Sequence, residues 1–398
     1  LAGFSVTNGC DQYLRRTNLV ARNGSTILSP VTNSYDGASR LRTIAAFNTG
    51  LSELGSATYP YVDNSPLVRQ ITFTKGGATV MTSSKSYDYL NRLASISSSP
   101  SSGSPISTSY GYNSANQRVS ATLSDNGYWR YRYDALGQLT MGHKYWSDQT
   151  PVAGQQFDYA FDTIGNRTQT KVGGDQYGRF QRVANYSANN LNQYTSRDVP
   201  GYVSVIGLEL ATNTVYVNGN APYRKGEYFR SELTVDNSSA PAAPSITVSA
   251  PNETAVTGYV FVPQTPESFE YDDDGNLTQD GRWTYSWDAE NRLVQMVTRT
   301  QAGAPMLLKF EYDAQGRRIH KRVWAGTDDN GAPAVDLRIL YDGWNPVAQV
   351  GSGGALVRSD MWVWCKPNYE TNLLANWLTL WVVGFAGRRS GPGGGARI

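Results

Sequence analysis

One short pattern recurs along this chain and constrains its fold more than any other feature. An Asp or Asn anchor follows an aromatic residue and is followed, three positions on, by Gly, Asn or Ser. Ten units carry it: Asp36 with Ser39, Asp88 with Asn91, Asn113 with Asn116, Asp134 with Gly137, Asp162 with Gly165, Asn189 with Asn192, Asp272 with Gly275, Asp288 with Asn291, Asp313 with Gly316, and Asp342 with Asn345. The preceding residue is aromatic in nine of the ten, as Tyr35, Tyr87, Tyr112, Tyr133, Phe161, Tyr271, Trp287, Tyr312 and Tyr341, with Ala188 the exception. Two residues further back, seven of ten are aromatic again, among them Tyr110, Tyr131, Phe269, Tyr285 and Phe310.

Side chains at i and i+2 of a strand lie on one face, so the paired aromatics can pack against the same face of a neighbouring strand. Asp or Asn opening a turn accepts hydrogen bonds from backbone N–H groups ahead of it, and Gly or Asn tolerates the left-handed conformation that completes the reversal. A polar residue and often Leu then start a return strand, as in Arg92-Leu93, Gln138-Leu139 and Arg292-Leu293. The unit is therefore a strand, a turn and a strand. Anchors from Asp88 to Asn189 are 25, 21, 28 and 27 residues apart, and those from Asp272 to Asp342 are 16, 25 and 29 apart. One hairpin is marginal alone, so units at this spacing must stack side by side. The predicted fold class is all-β, a stacked β-hairpin array.

Composition agrees: 26 Tyr, 10 Trp and 39 Gly in 398 residues, with 17% charged, favour strands and turns over surface helices. The formal charge of +2 and the scatter of basic residues carry no nucleic-acid or anionic-membrane footprint. Two cysteines, Cys10 and Cys365, allow at most one bridge. The chain opens on Leu1 without a signal-peptide pattern and reads as a fragment or processed product.

Between Asn189 and Asp272 the pattern stops for 83 positions. Runs such as YVSVIGLEL, YFRSELTV and SITVSA, separated by turn signals, predict an inserted, sandwich-like β-domain of about five strands over residues 197–265. It is expected to be a passive, separable insert on the array. The expected organisation is a degenerate repeat region over 1–79, repeats over 80–196, the insert over 197–265, repeats over 266–364 and a divergent tail over 365–398. The Ser-rich tract of residues 95–109 reads as a mobile hairpin tip.

The motif Y-x-Y-D-x-x-G-x-L resembles the RHS or YD-repeat family, well over residues 80–194 and 267–350 and weakly over 30–45. That resemblance implies a spiral β-sheet forming a hollow shell, as in bacterial polymorphic toxins, the C component of insecticidal toxin complexes, and teneurins. It further implies a secreted or cell-surface protein whose shell encloses or presents a C-terminal effector or toxin. The family's toxin branch carries a D-P-x-G type motif and an aspartate-dependent self-cleavage site. This chain has no Asp-Pro dipeptide, so no cleavage residue transfers.

Candidate chemistry is sparse. In DDDGNLTQD, Asp272, Asp274, Asn276, Thr278 and Asp280 alternate like calcium ligands, but an EF-hand's Gly and Glu are replaced by Leu277 and Trp283, and a repeat turn already accounts for Asp272. His143 and His320 are the only histidines, and no zinc spacing, G-x-S-x-G elbow or phosphate loop occurs. No catalytic residue and no cofactor is predicted. The repeat aspartates are expected to be architectural, and the chain a non-catalytic scaffold. Two rivals are a surface adhesin that binds carbohydrate or protein through exposed aromatics and the insert, and a glycan-active enzyme using paired carboxylates. The apolar run Leu373–Ala386 is too short for a membrane span. The abrupt change after Trp364 predicts that residues 365–398 are a frame-shifted tail and not the natural continuation.

Overall fold

The computed structural model describes residues 3–299 and 302–360, together with the backbone of 384–386. Every regular element among them is a strand. The chain divides into two compact units, one of Leu1–Arg132, Trp283–Thr298 and the described part of Pro305–Tyr369, the other built on Tyr133–Arg282 and Arg299–Ala304.

In the first unit each strand from Phe4–Cys10 to Arg118–Leu123 pairs antiparallel with the strand before it in sequence. A second ladder runs the same way from Trp283–Trp287 through Leu307–Tyr312 and Val335–Asp342 to Leu356–Ser359. The two ladders meet face to face where Leu19, Ala21 and Leu28 pack against Leu340, Val347, Ala348 and Val350. Alternation along the strands makes this possible, since Leu19 and Ala21 are buried while Asn18 is exposed. The Ser-rich tract is not a loop: Leu93–Pro100 and Ile106–Tyr112 are strands and only residues 101–105 lie outside them. Sequence composition misleads there because the ladder needs only backbone groups, and small hydroxyls then bond across strands, as Ser86 does with Ser95 at 2.6 Å.

In the second unit the strands Leu139–Tyr145, Pro151–Phe161, Arg167–Gly173, Gln181–Ala188 and Tyr194–Arg197 form a meander. The next member of this ladder is Glu267–Ser268, which pairs with Ser196 and Arg197. The insert therefore leaves and re-enters between two adjacent strands. At this neck Arg197 Nε donates to Glu267 Oε2 at 2.5 Å, and Glu267 is 5% exposed. The insert itself is a sandwich of two three-stranded sheets, one with Tyr202–Leu208, Tyr223–Lys225 and Tyr228–Thr234, the other with Tyr216–Val217, Ser245–Ser249 and Val256–Tyr259. Val203, Val205, Val217, Phe229 and Ile246 form its core.

The insert is not a loosely attached passenger. Alternation that turns Phe229 inward turns Tyr228, Arg230 and Glu232 outward, toward the repeat strands. Tyr228 donates its hydroxyl to the Ala153 carbonyl at 2.5 Å and meets Trp146 edge-on at 5.4 Å. Lys225 Nζ lies 2.5 Å from Asp148 Oδ2, and Glu232 bridges Arg230 and Arg182. Burial pushes the Tyr228 phenol well above its ordinary pKa. Of the tail expected over 365–398, only Gly384–Ala386 is described, as a short strand parallel to Tyr202–Leu208; the rest lies outside the described residues, Cys365 included.

Candidate functional site at the turn ladder

The recurring anchor builds one turn many times. In the Asp88 unit the anchor N–H donates to the Arg92 carbonyl at 2.9 Å, and the Asn91 N–H returns to the Asp88 carbonyl at 2.9 Å. Asp88 Oδ1 accepts the amides of Leu90 and Arg92, each at 2.9 Å. The residue three positions after the anchor takes a left-handed φ in nine of the ten units, from 57° at Asn291 to 96° at Gly165. With the register shift just before the anchor, as between Ser86 and Tyr87, this is a three-residue hairpin loop closed by a bulge. Asp134 with Gly137, Asp162 with Gly165, Asp288 with Asn291 and Asp313 with Gly316 repeat it.

Three further turns of this kind, at Asp11, Asn48 and Asp175, escaped the sequence pattern. Cys10, Phe47 and Gly174 precede them, and only Phe47 is aromatic. Residues 1–79 thus hold the same hairpins as the rest.

Asp342 departs from the set. It pairs directly with Asn345 across a two-residue turn, and Gly343 takes the positive φ of 58°. Its carboxylate turns inward instead: Oδ1 accepts Asn8 Nδ2 and Arg16 Nη2, each at 3.2 Å, and Arg16 Nη1 contacts Oδ2. This pair borders a cavity of about 560 Å³ within the first unit.

Two contacts that sequence reasoning missed join each unit to its neighbour. The first is the residue four after the anchor. Arg40, Arg92, Arg292 and Arg317 each place Nε 2.7–2.8 Å from the second carboxylate oxygen of their own anchor. The same guanidiniums lie over the next unit's ring, Arg92 over Tyr112 at 4.6 Å and Arg317 over Tyr341 at 5.3 Å. The signal was present in the sequence: Asn113 and Asn189 are followed at that position by Gln117 and Gln193, and each Asn Nδ2 donates to the Gln Oε1 at 2.8 Å. An Asp anchor can take a cation or an amide, whereas these neutral anchors take an amide.

The second contact is the tyrosine hydroxyl. Tyr35, Tyr112, Tyr312 and Tyr341 donate to the carbonyls of Arg16, Leu93, Leu293 and Arg318 at 2.8, 2.8, 2.8 and 2.9 Å. Each acceptor is the first residue of the preceding unit's return strand. Tyr87 reaches Val68 at 2.9 Å and Tyr271 reaches Tyr194 at 3.1 Å in the same sense. Tyr312→Phe keeps the ring and deletes the hydroxyl, leaving the half-buried Leu293 carbonyl without that donor. We expect a loss of about 1 kcal/mol in urea unfolding; an unchanged midpoint would show that the hydroxyl does not tie the units.

Asp313→Asn strands Arg317 opposite a neutral amide, and Arg317→Gln strands the carboxylate. The double variant recreates the Asn–Gln pair found at 113/117 and 189/193. Its stability should exceed the sum of the single effects, with a coupling of about 0.5–1 kcal/mol. Simple additivity would rule this out.

Burial raises the carboxyl pKa of Asp36, Asp88, Asp288 and Asp313, but hydrogen bonds from turn amides and the adjoining arginine outweigh it and leave all four below the ordinary value. A carboxyl lowered in the folded state stabilises fully above its unfolded pKa, about 4, and ceases to as pH falls through the folded pKa. The melting temperature should therefore hold from neutral pH to about 5 and decline below about 4. A midpoint independent of pH over that range would contradict the assignment.

The calcium-like run is engaged otherwise. Asp272 Oδ1 accepts the Asn276 amide at 2.8 Å, Asn276 Nδ2 donates to Asp272 Oδ2 at 3.1 Å, and Asp280 Oδ1 accepts the Arg282 amide at 2.7 Å. No group of three His, Cys, Asp or Glu able to hold a metal occurs among the described residues. His143 and His320 lie on strands, His143 Nε2 standing 3.0 Å from Asp158, and His320 between Asp336, 2.6 Å from Nε2, and Glu311, 3.3 Å from Nδ1.

No family model matches the chain. The tRNA3(Ser)-specific nuclease WapA of Bacillus spizizenii and the tRNA nuclease WapA of Bacillus subtilis are each 38% identical over 76 residues, 19% of this chain and 3% of theirs. The match thus spans a small fraction of those relatives. Among solved structures, the Tc holotoxin pore of Photorhabdus luminescens with TccC3 aligns over 89% of this chain and 19% of its own, at 12% identity and a TM-score of 0.31. A TcdB2–TccC3–Cdc42 complex aligns over 88% and 23%, at 10% identity and a TM-score of 0.28. Likeness at that level carries no inference.

Proposed function

We propose that this chain is an RHS-type scaffold without catalysis of its own, whose array encloses or presents an effector polypeptide joined on its C-terminal side. The observation that carries this is the use of polar side chains at the turns. Anchor carboxylates accept two backbone amides and, in five units, Asp11, Asp36, Asp88, Asp288 and Asp313, a guanidinium that also covers a ring further along the chain. Groups so engaged are suited to holding a wall in register and poorly suited to proton transfer, which requires an oxygen free to meet substrate. The same engagement makes the anchor carboxylates poor candidates for the acid and base of a glycan-cleaving pair. The short match to WapA nucleases fits an effector-bearing protein loosely. An exported or surface location belongs to this reading.

Expression of the chain fused to the polypeptide encoded directly after it tests the proposal. Limited proteolysis should spare the following polypeptide when it is joined to the array and digest it when it is produced alone. Equal digestion in both states would overturn enclosure.

A further inference from the structure

The two sheets of the insert differ in chemistry. The sheet docked on the repeats carries Arg224, Lys225, Arg230 and Glu232, three of them paired with repeat residues or one another. The opposite sheet, of Tyr216–Val217, Ser245–Ser249 and Val256–Tyr259, belongs to two stretches, 211–222 and 237–262, in which Glu253 is the sole charged residue. Val217, Ile246 and Val248 turn toward the core. Alternation then sends Tyr216, Ser245, Thr247, Ser249, Thr257 and Tyr259 to the other face, away from the docked sheet.

Register fixes their arrangement. Tyr216 stands opposite Ser249, Thr247 opposite Thr257, and Tyr259 opposite Ser245. The two rings therefore sit at opposite corners, with hydroxyls between them. Four residues along the strand and two strand spacings across put the rings roughly 16 Å apart. Tyr259 is 72% exposed and Tyr216 39%. Beneath them the sheet is braced: Thr247 and Thr257 hydroxyls bond at 2.8 Å, and Asn218 Oδ1 accepts the Thr247 amide at 2.7 Å.

We propose that this face binds a neutral polysaccharide. A sugar ring offers a C–H face that packs on an aromatic ring and hydroxyls that both donate and accept, as Ser and Thr do. The lack of charge matches a neutral polymer and gives an anionic one no counter-charge. A separation of roughly 16 Å spans several sugar units, so an extended chain, unlike a monosaccharide, can meet both rings. The inference stands apart from the scaffold reading, because it concerns only the insert.

Affinity electrophoresis of the whole chain tests it, with native gels containing hydroxyethylcellulose, glucomannan or dextran and, as the anionic comparison, polygalacturonate. Retardation is expected in at least one neutral polymer, weakened roughly two- to tenfold by Tyr259→Ala and by Tyr216→Ala. Tyr177→Ala, an exposed ring on a repeat turn, should leave it unchanged. Migration unaffected by all three neutral polymers, retardation by polygalacturonate alone, or retardation insensitive to both tyrosine substitutions would each overturn the proposal. Both variants remove exposed rings, and circular dichroism matching the parent establishes that they fold.

Discussion

Asp342→Ala should destabilise the first unit by about 2–3 kcal/mol, more than the same change at any regular anchor. Asp342 is 8% exposed, and its carboxylate receives Arg16 from the facing ladder as well as Asn8. Its loss leaves a guanidinium without its counter-ion beside the Leu19 and Val347 core, a costlier outcome than losing a turn cap. Arg16 retains 28% side-chain exposure, so water recovers part of the cost. At a regular anchor such as Asp313→Ala, the change removes amide bonds that water can replace, and about 0.5–2 kcal/mol is expected. Replacing both partners, Arg16→Met with Asp342→Leu, should recover much of the loss. Urea unfolding of the four proteins decides: equal losses for Asp342→Ala and Asp313→Ala would show that the pair does not hold the ladders together.

Phe229→Ala should cost about 3–5 kcal/mol, the largest effect of any substitution considered. The ring is 2% exposed and lies across Gly207 on the paired strand, where an added Cβ would stand 2.4 Å from it. The absence of a side chain at 207 is what admits the ring, and alanine would leave a hole on both strands. Tyr228, Lys225 and Glu232, on the other side of the same sheet, grip the repeats. Loosening this sheet should accordingly raise hydrogen exchange in Pro151–Phe161, whose Val152 and Ala153 are each 1% exposed. Unchanged protection there, with the insert unfolded, would support the separable insert expected from sequence.

The hairpin array was legible because its determinant is local. An aromatic, an anchor and a left-handed residue lie within five positions, and nine units share the conformation they imply. The same locality explains Asp342. Its neighbours Tyr341 and Asn345 mimic the motif, while the groups that fix its carboxylate, Asn8 and Arg16, lie more than 300 residues away. The insert's strands could be read from alternation, and six stand where about five were expected. Its docking could not, since nothing in Tyr228 or Lys225 names Ala153 or Asp148 as a partner. The Asp–Arg and Asn–Gln matching four residues apart is present in the sequence, but in sequence that position reads only as a polar start to the return strand, because the turn is what brings it back onto the anchor.

The tyrosine contacts all point one way along the chain. Tyr112 reaches back to the unit of Asp88, Tyr312 to that of Asp288, and Tyr341 to that of Asp313. Each hairpin therefore supplies the clasp for its predecessor and waits for its successor to be clasped in turn. On a ribosome, where the amino-terminal hairpin emerges first, order of synthesis becomes order of closure. Among the described repeat strands only Tyr194–Arg197 waits for a partner far along the chain, Glu267–Ser268, and elsewhere a single unit at the growing end stands open.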